Sequence, residues 1–391
     1  MSKPPQTQNP ELPIDKDYLV SLINKKCGPE GCGELRSYKC AIIGEGKGFI
    51  SYITQVKLDW DPNKSRVIKQ PTSAKIEQIE ALKMFLNEKT IIDLHNRECD
   101  VYELFDGKYT DTPPIPIAKH FGHERMTTKL GDGMIILEDL TDSAKSLEFA
   151  EEMSVEQMLT LARHFGSLQA FGFNHPEVLN QLPPPAMESV SKLIDGLEEI
   201  MKQIWDIYPE FPYTVEDIKE RFDHLFKTFD VLKLPHEQGY TSVIGLGDVQ
   251  PNNILFERDS SNRDKTSSRV AAFIDFQAVS VAFCVNDLVT AIINGLPANV
   301  RRENESAILN AYYNSILEHL EPQLRDKFPL KMDEIRELYR KFLFMMSLLM
   351  VPMMIQVLNT IEDKQFSERY KTAQLSRVVT AVEDLNKSWD D

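Results

Sequence analysis

The chain has 391 residues, with 44 Lys and Arg against 60 Asp and Glu, for a formal net charge of −16. That length predicts two lobes or domains, and an apolar share of 42% supplies a sizeable core, which excludes wholesale disorder. With no Lys/Arg stripe to compensate, the acidic balance excludes a nucleic-acid scaffold.

Residues 1–13 are polar and proline-rich and read as a flexible tail, with no apolar run that would act as a signal sequence. Ser2 stands where myristoylation requires glycine. The five cysteines, Cys27, Cys32, Cys40, Cys99 and Cys284, are odd in number and sparse, which predicts a reduced, cytoplasmic setting. Cys27, Cys32 and Cys40 lack the fourth nearby Cys or His of a closed zinc site and read as free thiols in a turn.

From 38 to 69 the pattern is β. Ile50, Tyr52, Thr54, Val56 and Leu58 alternate with Ser51, Gln55 and Lys57. The turn Asp61-Pro62-Asn63 leads to a second strand at 66–69. A helix is expected over about 75–105, then a proline break at Pro113, Pro114 and Pro116, then a short apolar strand at 134–137. Beyond Asp142 the texture is mostly helical. Ser154 and Gln157 fit a capping box, followed by Met158, Leu161, Ala162, Phe165 and Leu168 at helical spacing. Pro183 to Pro185 mark a loop, and helices are expected at 188–208 and 215–232. Two strands, 254–256 and 270–274, flank a Ser-rich charged connector at 257–269 that reads as a flexible hairpin loop. Residues 342–361 carry no charge, but Ser347, Pro352, Gln356, Asn359 and Thr360 interrupt them. That texture predicts a buried core helix, kinked or ended near Pro352, rather than a membrane span.

Four features carry chemistry. Gly44, Gly46 and Gly48 lie between two strands, where glycines let backbone N–H groups approach phosphates; a Walker loop would lead into a helix instead. Lys69, on the next strand, can neutralise phosphate charge if an acid orients it. Glu98 is best placed for that, with Glu77, Glu80 and Glu88 as rivals. The segment Gly247-Asp248-Val249-Gln250-Pro251-Asn252-Asn253 has the Asp-x4-Asn spacing of a kinase catalytic loop. There an Asp accepts the proton of the attacking hydroxyl, and an Asn oxygen ligates Mg²⁺. Finally, Asp275 ends the apolar strand Val270 to Ile274, where a second Mg²⁺ ligand belongs. Asp287, after Asn286, is expected to cap a buried helix.

The segments Gly46 to Ser51, His95 to Glu98, Ile136 to Leu140, Gly247 to Asn253, and Ile274 to Gln277 with Asp287-Leu288 resemble the CHK kinase-like group. That group includes the ecdysteroid-kinase-like proteins and is related to choline kinases and aminoglycoside phosphotransferases. The resemblance covers about residues 35–360. It implies an α+β, protein-kinase-like bilobal fold, with a β-rich N-lobe at 14–137, a hinge at 138–142 and a mostly helical C-lobe at 143–391. It further implies an ATP- and Mg²⁺-dependent kinase acting on a hydroxyl of a small molecule, sterol/ecdysteroid-like or choline-like. Asp248 would be the catalytic base, Asn253 and Asp275 the metal ligands, and Lys69 with Glu98 the phosphate-anchoring pair. The backbone from Glu138 to Leu140 would meet adenine. Three departures stand out: Leu246, where relatives carry a loop-bracing His, which bears on geometry; Gln169, where a Leu-His pair is common; and the long 257–269 connector, which extends the hairpin. The alternative reading, a nucleotide-binding pseudokinase or ligand-binding scaffold, rests on Leu246. The acceptor is expected to be lined from about 140–230 and 285–360.

Overall fold

The computed structural model describes residues 16–27, 38–43, 51–58, 65–71, 87–105, 113–127, 133–148, 151–184, 196–226, 233–360 and 364–387. The 1–13 tail, Cys32 and the segment bearing Gly44, Gly46 and Gly48 lie outside the described residues. The chain divides into two compact units, Met1–Lys145 and Ser146–Asp391.

In the first unit, β1 (Tyr38–Ile43), β2 (Ser51–Leu58), β3 (Ser65–Pro71), β4 (His120–Glu124) and β5 (Met134–Glu138) make one sheet, ordered β1-β2-β3-β5-β4. Every pairing in it is antiparallel. The alternation in β2 buries Thr54 and Val56 and leaves Gln55 half-buried, as a strand with one core face requires. Strand β4 escapes a period-two reading because its register shifts between His120 and Gly122, a bulge made easy by the glycine's φ of 154°. Among the described residues, α1 (Lys16–Cys27) and α2 (Glu88–Phe105) accompany the sheet. The Asn87 side chain caps α2 by accepting the Thr90 N–H at 2.9 Å. Of the helix expected from residue 75, residues 75–86 lie outside the described residues.

The second unit opens at the capping box. Ser154 Oγ accepts the Gln157 N–H at 3.1 Å, and Gln157 Oε1 accepts the Ser154 N–H at 2.9 Å, starting α3 (Val155–Asn174). Its expected core stripe, Met158, Leu161, Ala162, Phe165 and Leu168, is buried throughout. Then come α4 (Leu197–Ile207), α5 (Val215–Phe226), and the strands β6 (Ser242–Gly245), β7 (Ile254–Arg258), β8 (Thr266–Phe273) and β9 (Ser280–Phe283). β7 and β8 form the expected hairpin, while β6 pairs antiparallel with β9. These last two strands, four residues each and almost wholly buried, show no polar alternation to betray them. The connector is shorter than its composition implied. The strands run on to Arg258 and resume at Thr266, and Asp259 closes the turn by accepting from Ser261 and Asn262. Helices α6 (Asn286–Gly295), α7 (Ala298–His319), α8 (Met332–Thr360) and α9 (Lys364–Lys387) complete the unit.

Of the two outcomes expected at Pro352, a kink or an end, the helix does not end there, because α8 continues through it to Thr360. Phe342, Leu343, Phe344, Met345, Leu348 and Val351 are all buried. Their packing outweighs the one backbone hydrogen bond that proline forfeits. Among the described residues, no helix is long and apolar enough to cross a membrane.

Candidate active site

The first unit contributes a buried ion pair. Buried residues of α2 recur as Ile91, His95, Glu98, Tyr102 and Phe105, so Glu98 occupies a core position in an otherwise largely apolar stripe. It meets Lys69 of β3, Nζ to Oε2, at 2.5 Å, with side-chain exposures of 8% and 1%. Lys69 is set in register between Ile53 of β2 and Ile135 of β5. Among its rivals, Glu88 is exposed at the helix start, and Glu77 and Glu80 lie outside the described residues. A charge pair this deep is costly to desolvate, and apolar replacements of equal volume are often as stable. Burial, reinforced by the Glu98 charge, pushes the neighbouring Cys99 thiol up to about 12. Burial likewise lowers His95 to about 4, so the ring is neutral and gives its Nε2–H to the Glu124 carbonyl at 2.8 Å.

Glu138 and Leu140 sit where β5 gives way to a tight turn. The Glu138 N–H is given to the Lys119 carbonyl at 2.8 Å, and the Leu140 carbonyl accepts from Ser143 at 3.0 Å and Ala144 at 2.8 Å. Asp139 fastens the same turn, accepting the Thr141 N–H at 3.0 Å and the Gln55 amide at 2.7 Å.

The second unit brings Asp248, Asn253 and the strand leading to Asp275 together by direct hydrogen bonds. Asn253 Nδ2 donates to the Asp248 carbonyl at 3.0 Å, and its Oδ1 accepts from Asn252 Nδ2 at 3.3 Å, which fixes the orientation of the amide. The Asn253 carbonyl in turn accepts the Ile274 N–H at 3.1 Å, fixing the residue before Asp275. Asp275 is half-buried and left-handed, with φ 69° and ψ 65°. Non-glycine residues held there are strained, and such strain concentrates at functional positions. Gly247, with φ 80°, is obligatory on two counts, since a Cβ would also lie 2.5 Å from the Ala278 carbonyl oxygen.

Asp287 does not cap its own helix, which corrects the sequence expectation. The N-cap of α6 is Val285, with no side-chain cap, and the Asp287 carboxylate accepts the Leu246 N–H at 2.7 Å and the Gly247 N–H at 3.1 Å. Those amides belong to the loop carrying Asp248, and a buried loop donor takes precedence over a helix end that neighbouring packing already covers. Burial raises the Asp287 carboxyl to about 6, against the pull of those two N–H groups. Sequence reasoning also missed Tyr312, whose hydroxyl donates to Gln169 Oε1 and accepts the Val285 N–H at 3.1 Å. Nothing in its local sequence distinguishes it from a core tyrosine.

An antiparallel sheet with a strand-to-helix Lys–Glu pair, followed by a mostly helical unit bearing Asp-x4-Asn and a strand-end Asp, defines the protein-kinase-like fold. The chain belongs to the DUF1679 family, the ecdysteroid-kinase-like family, whose profile matches residues 34–391 and is described as "Uncharacterized oxidoreductase dhs-27". The five-stranded sheet is antiparallel, unlike the parallel sheet on which a Rossmann dinucleotide site is built. The chain is 24% identical over 261 residues to an uncharacterized kinase-like protein of Caenorhabditis elegans, a match spanning 65% of this chain and 64% of that protein. Among solved structures it is similar to a choline kinase from Cryptosporidium parvum, at TM-score 0.55 and 11% identity, covering 96% of this chain and 97% of that one. It is also similar to a putative aminoglycoside phosphotransferase from Ralstonia eutropha, at TM-score 0.53 and 15% identity, covering 95% and 98%.

Proposed function

We propose that this chain is an ATP- and Mg²⁺-dependent kinase that phosphorylates a hydroxyl of a small molecule, sterol/ecdysteroid-like or choline-like. The observation that carries the reading is the linkage of Asp248, Asn253 and Ile274-Asp275 by two hydrogen bonds, at 3.0 and 3.1 Å. Asp248 accepts the proton of the acceptor hydroxyl and aligns it for in-line attack. Asn253 Oδ1 and the Asp275 carboxylate are hard oxygen donors, and they fit Mg²⁺, which takes one or two protein ligands beside substrate phosphates and water. Bound there, Mg²⁺ would neutralise charge on the transferring phosphoryl group. Lys69, held by Glu98, and the backbone around Gly44, Gly46 and Gly48 supply the remaining phosphate contacts. In the 138–142 hinge, the backbone from Glu138 to Leu140 is assigned to adenine, with the Glu138 N–H and the Leu140 carbonyl already engaged within the protein. A reducing cytoplasmic compartment suits Cys99 and Cys284, both free and buried.

The test is phosphoryl transfer from ATP in the presence of Mg²⁺ to a panel of sterols, choline-like amines and sugars, comparing Asp248→Asn. The variant is expected to bind nucleotide normally and to lose about 10²–10⁴-fold in kcat. Equal turnover by Asp248→Asn overturns the mechanism. Leu246 motivates the second reading, a pseudokinase, which is favoured if MgATP binds and no acceptor is turned over.

A further inference from the structure

The loop that carries Asp248 contains Leu246 where relatives place a bracing histidine, yet its backbone is held by the Asp287 carboxylate. Asp287 is the second residue of α6, so its position follows from the turn just before it. That turn is made by Val285, buried and at φ 65°. A β-branched residue in the left-handed region is costly and persists only where its surroundings over-determine it. What determines it here is the Tyr312 hydroxyl, which accepts the Val285 N–H at 3.1 Å while donating to Gln169 Oε1. All three residues are buried. Burial also raises the Tyr312 phenol well above its ordinary value, so it keeps the proton that it donates.

The seam between α3 and α7 is built to deliver that hydroxyl. Gly166 lies one turn before Gln169, and a Cβ there would stand 2.5 Å from the Tyr312 carbonyl oxygen and 2.8 Å from the Ser315 Cβ. Ser315 Oγ donates to the Arg163 carbonyl at 2.7 Å. Arg163, Gly166 and Gln169 thus fix α7 at three successive points along one face of α3.

We propose that Gln169, Tyr312 and Val285 form a positioning brace that seats Asp287 against Leu246 and Gly247 and so orients Asp248, in place of the bracing histidine that this chain lacks at 246. The importance of that orientation for turnover rests on the kinase reading above; the brace itself does not. A tyrosine that merely fills the core would influence overall stability and leave the loop no more exposed than any other segment.

The experiment uses the full chain with Tyr312→Phe, which keeps the ring and removes only the hydroxyl, and with Gln169→Met, which keeps the volume and removes the acceptor. Amide hydrogen exchange at Leu246 and Gly247 is expected to quicken about five- to tenfold in either variant, the equivalent of one lost hydrogen bond, with exchange in α9 unchanged. The double variant adds nothing further, and Gln169→His, which restores an acceptor for the hydroxyl, returns exchange to the starting value. In phosphoryl transfer, kcat falls by a similar factor while KM for ATP holds. Unchanged exchange at Leu246 and Gly247, or equal quickening in α9, overturns the brace. Loop-specific quickening in a chain with no detectable turnover sustains the brace and counts against the kinase reading alone.

Discussion

The two units hold their chemical groups by opposite means. In the first, Lys69 and Glu98 sit on a regular strand and a regular helix, and what fixes them is charge, each being the counter-ion of the other in a buried setting. In the second, Asp248 and Asp275 lie on irregular backbone, and what fixes them is a set of directed hydrogen bonds to main-chain groups around left-handed residues. Charge is exchangeable in pairs, because removing both partners removes the desolvation cost along with the attraction. Strained backbone has no such partner to remove. The first half therefore tolerates compensated change, and the second does not.

The largest effect expected from this contrast is at the ion pair. Lys69→Met removes the cation from a buried carboxylate and is expected to cost about 3–5 kcal/mol in urea unfolding. The double variant Lys69→Met/Glu98→Leu is expected to regain most of that stability while nucleotide-dependent turnover stays lost. A double variant as unstable as Lys69→Met would break the contrast, since the pair would then not be exchangeable.

Gly247→Ala tests the other half. The alanine must adopt φ 80° with its Cβ 2.5 Å from the Ala278 carbonyl oxygen, which is expected to cost about 1–3 kcal/mol and most of the turnover. Trimming the neighbour with Ala278→Gly relieves only the contact at 2.9 Å and leaves the carbonyl in place, so no recovery is expected. Recovery of stability and turnover in Gly247→Ala/Ala278→Gly would show that side-chain contact, not backbone, sets this loop.

The same contrast explains what the sequence made legible. Period-two alternation revealed β2, helical spacing behind a capping box revealed α3, and two short apolar strands flanking a Ser-rich connector revealed the hairpin β7–β8. Glu98 was legible only as the best placed of four acids that could orient Lys69, whereas Asp248 and Asn253 stood out through fixed spacing. Strands β6 and β9 were hidden, since four-residue segments buried on nearly every side carry no alternation. The role of Asp287 was hidden for a different reason. Its partners, Leu246 and Gly247, are 41 and 40 positions away and contribute backbone N–H groups, which every residue but proline possesses. Pairing through side chains leaves residue types to read, whereas pairing through main chain leaves none.

The smallest effect separates the units by pH. His95 is lowered from 6.5 to about 4 by burial, so the folded first unit binds fewer protons than the unfolded chain between those values. Its contribution is fully present above pH 6.5 and is lost as pH falls toward 4. His164 in the second unit, also lowered to about 4 by burial, acts with the same sign. Asp287 acts with the opposite one: raised from 3.8 to about 6, it favours the folded state below 3.8 and loses that advantage as pH rises to 6. In the second unit the two slopes, each at most ~1.4 kcal/mol per pH unit, oppose one another between pH 4 and 6. Hydrogen exchange followed from pH 6.5 to 4.5 is therefore expected to show β3, β5 and α2 losing protection, while α3 and α6 change little. His95→Gln, which keeps an N–H for the Glu124 carbonyl, is expected to flatten the first unit's response. His164→Gln is expected to give the second unit the slope of Asp287 and of Glu305, whose carboxyl burial also raises, with protection rising as pH falls. If the first unit keeps its full acid lability in His95→Gln, its pH response does not come from the helix that holds Glu98, and the two units do not differ in the way their buried groups imply.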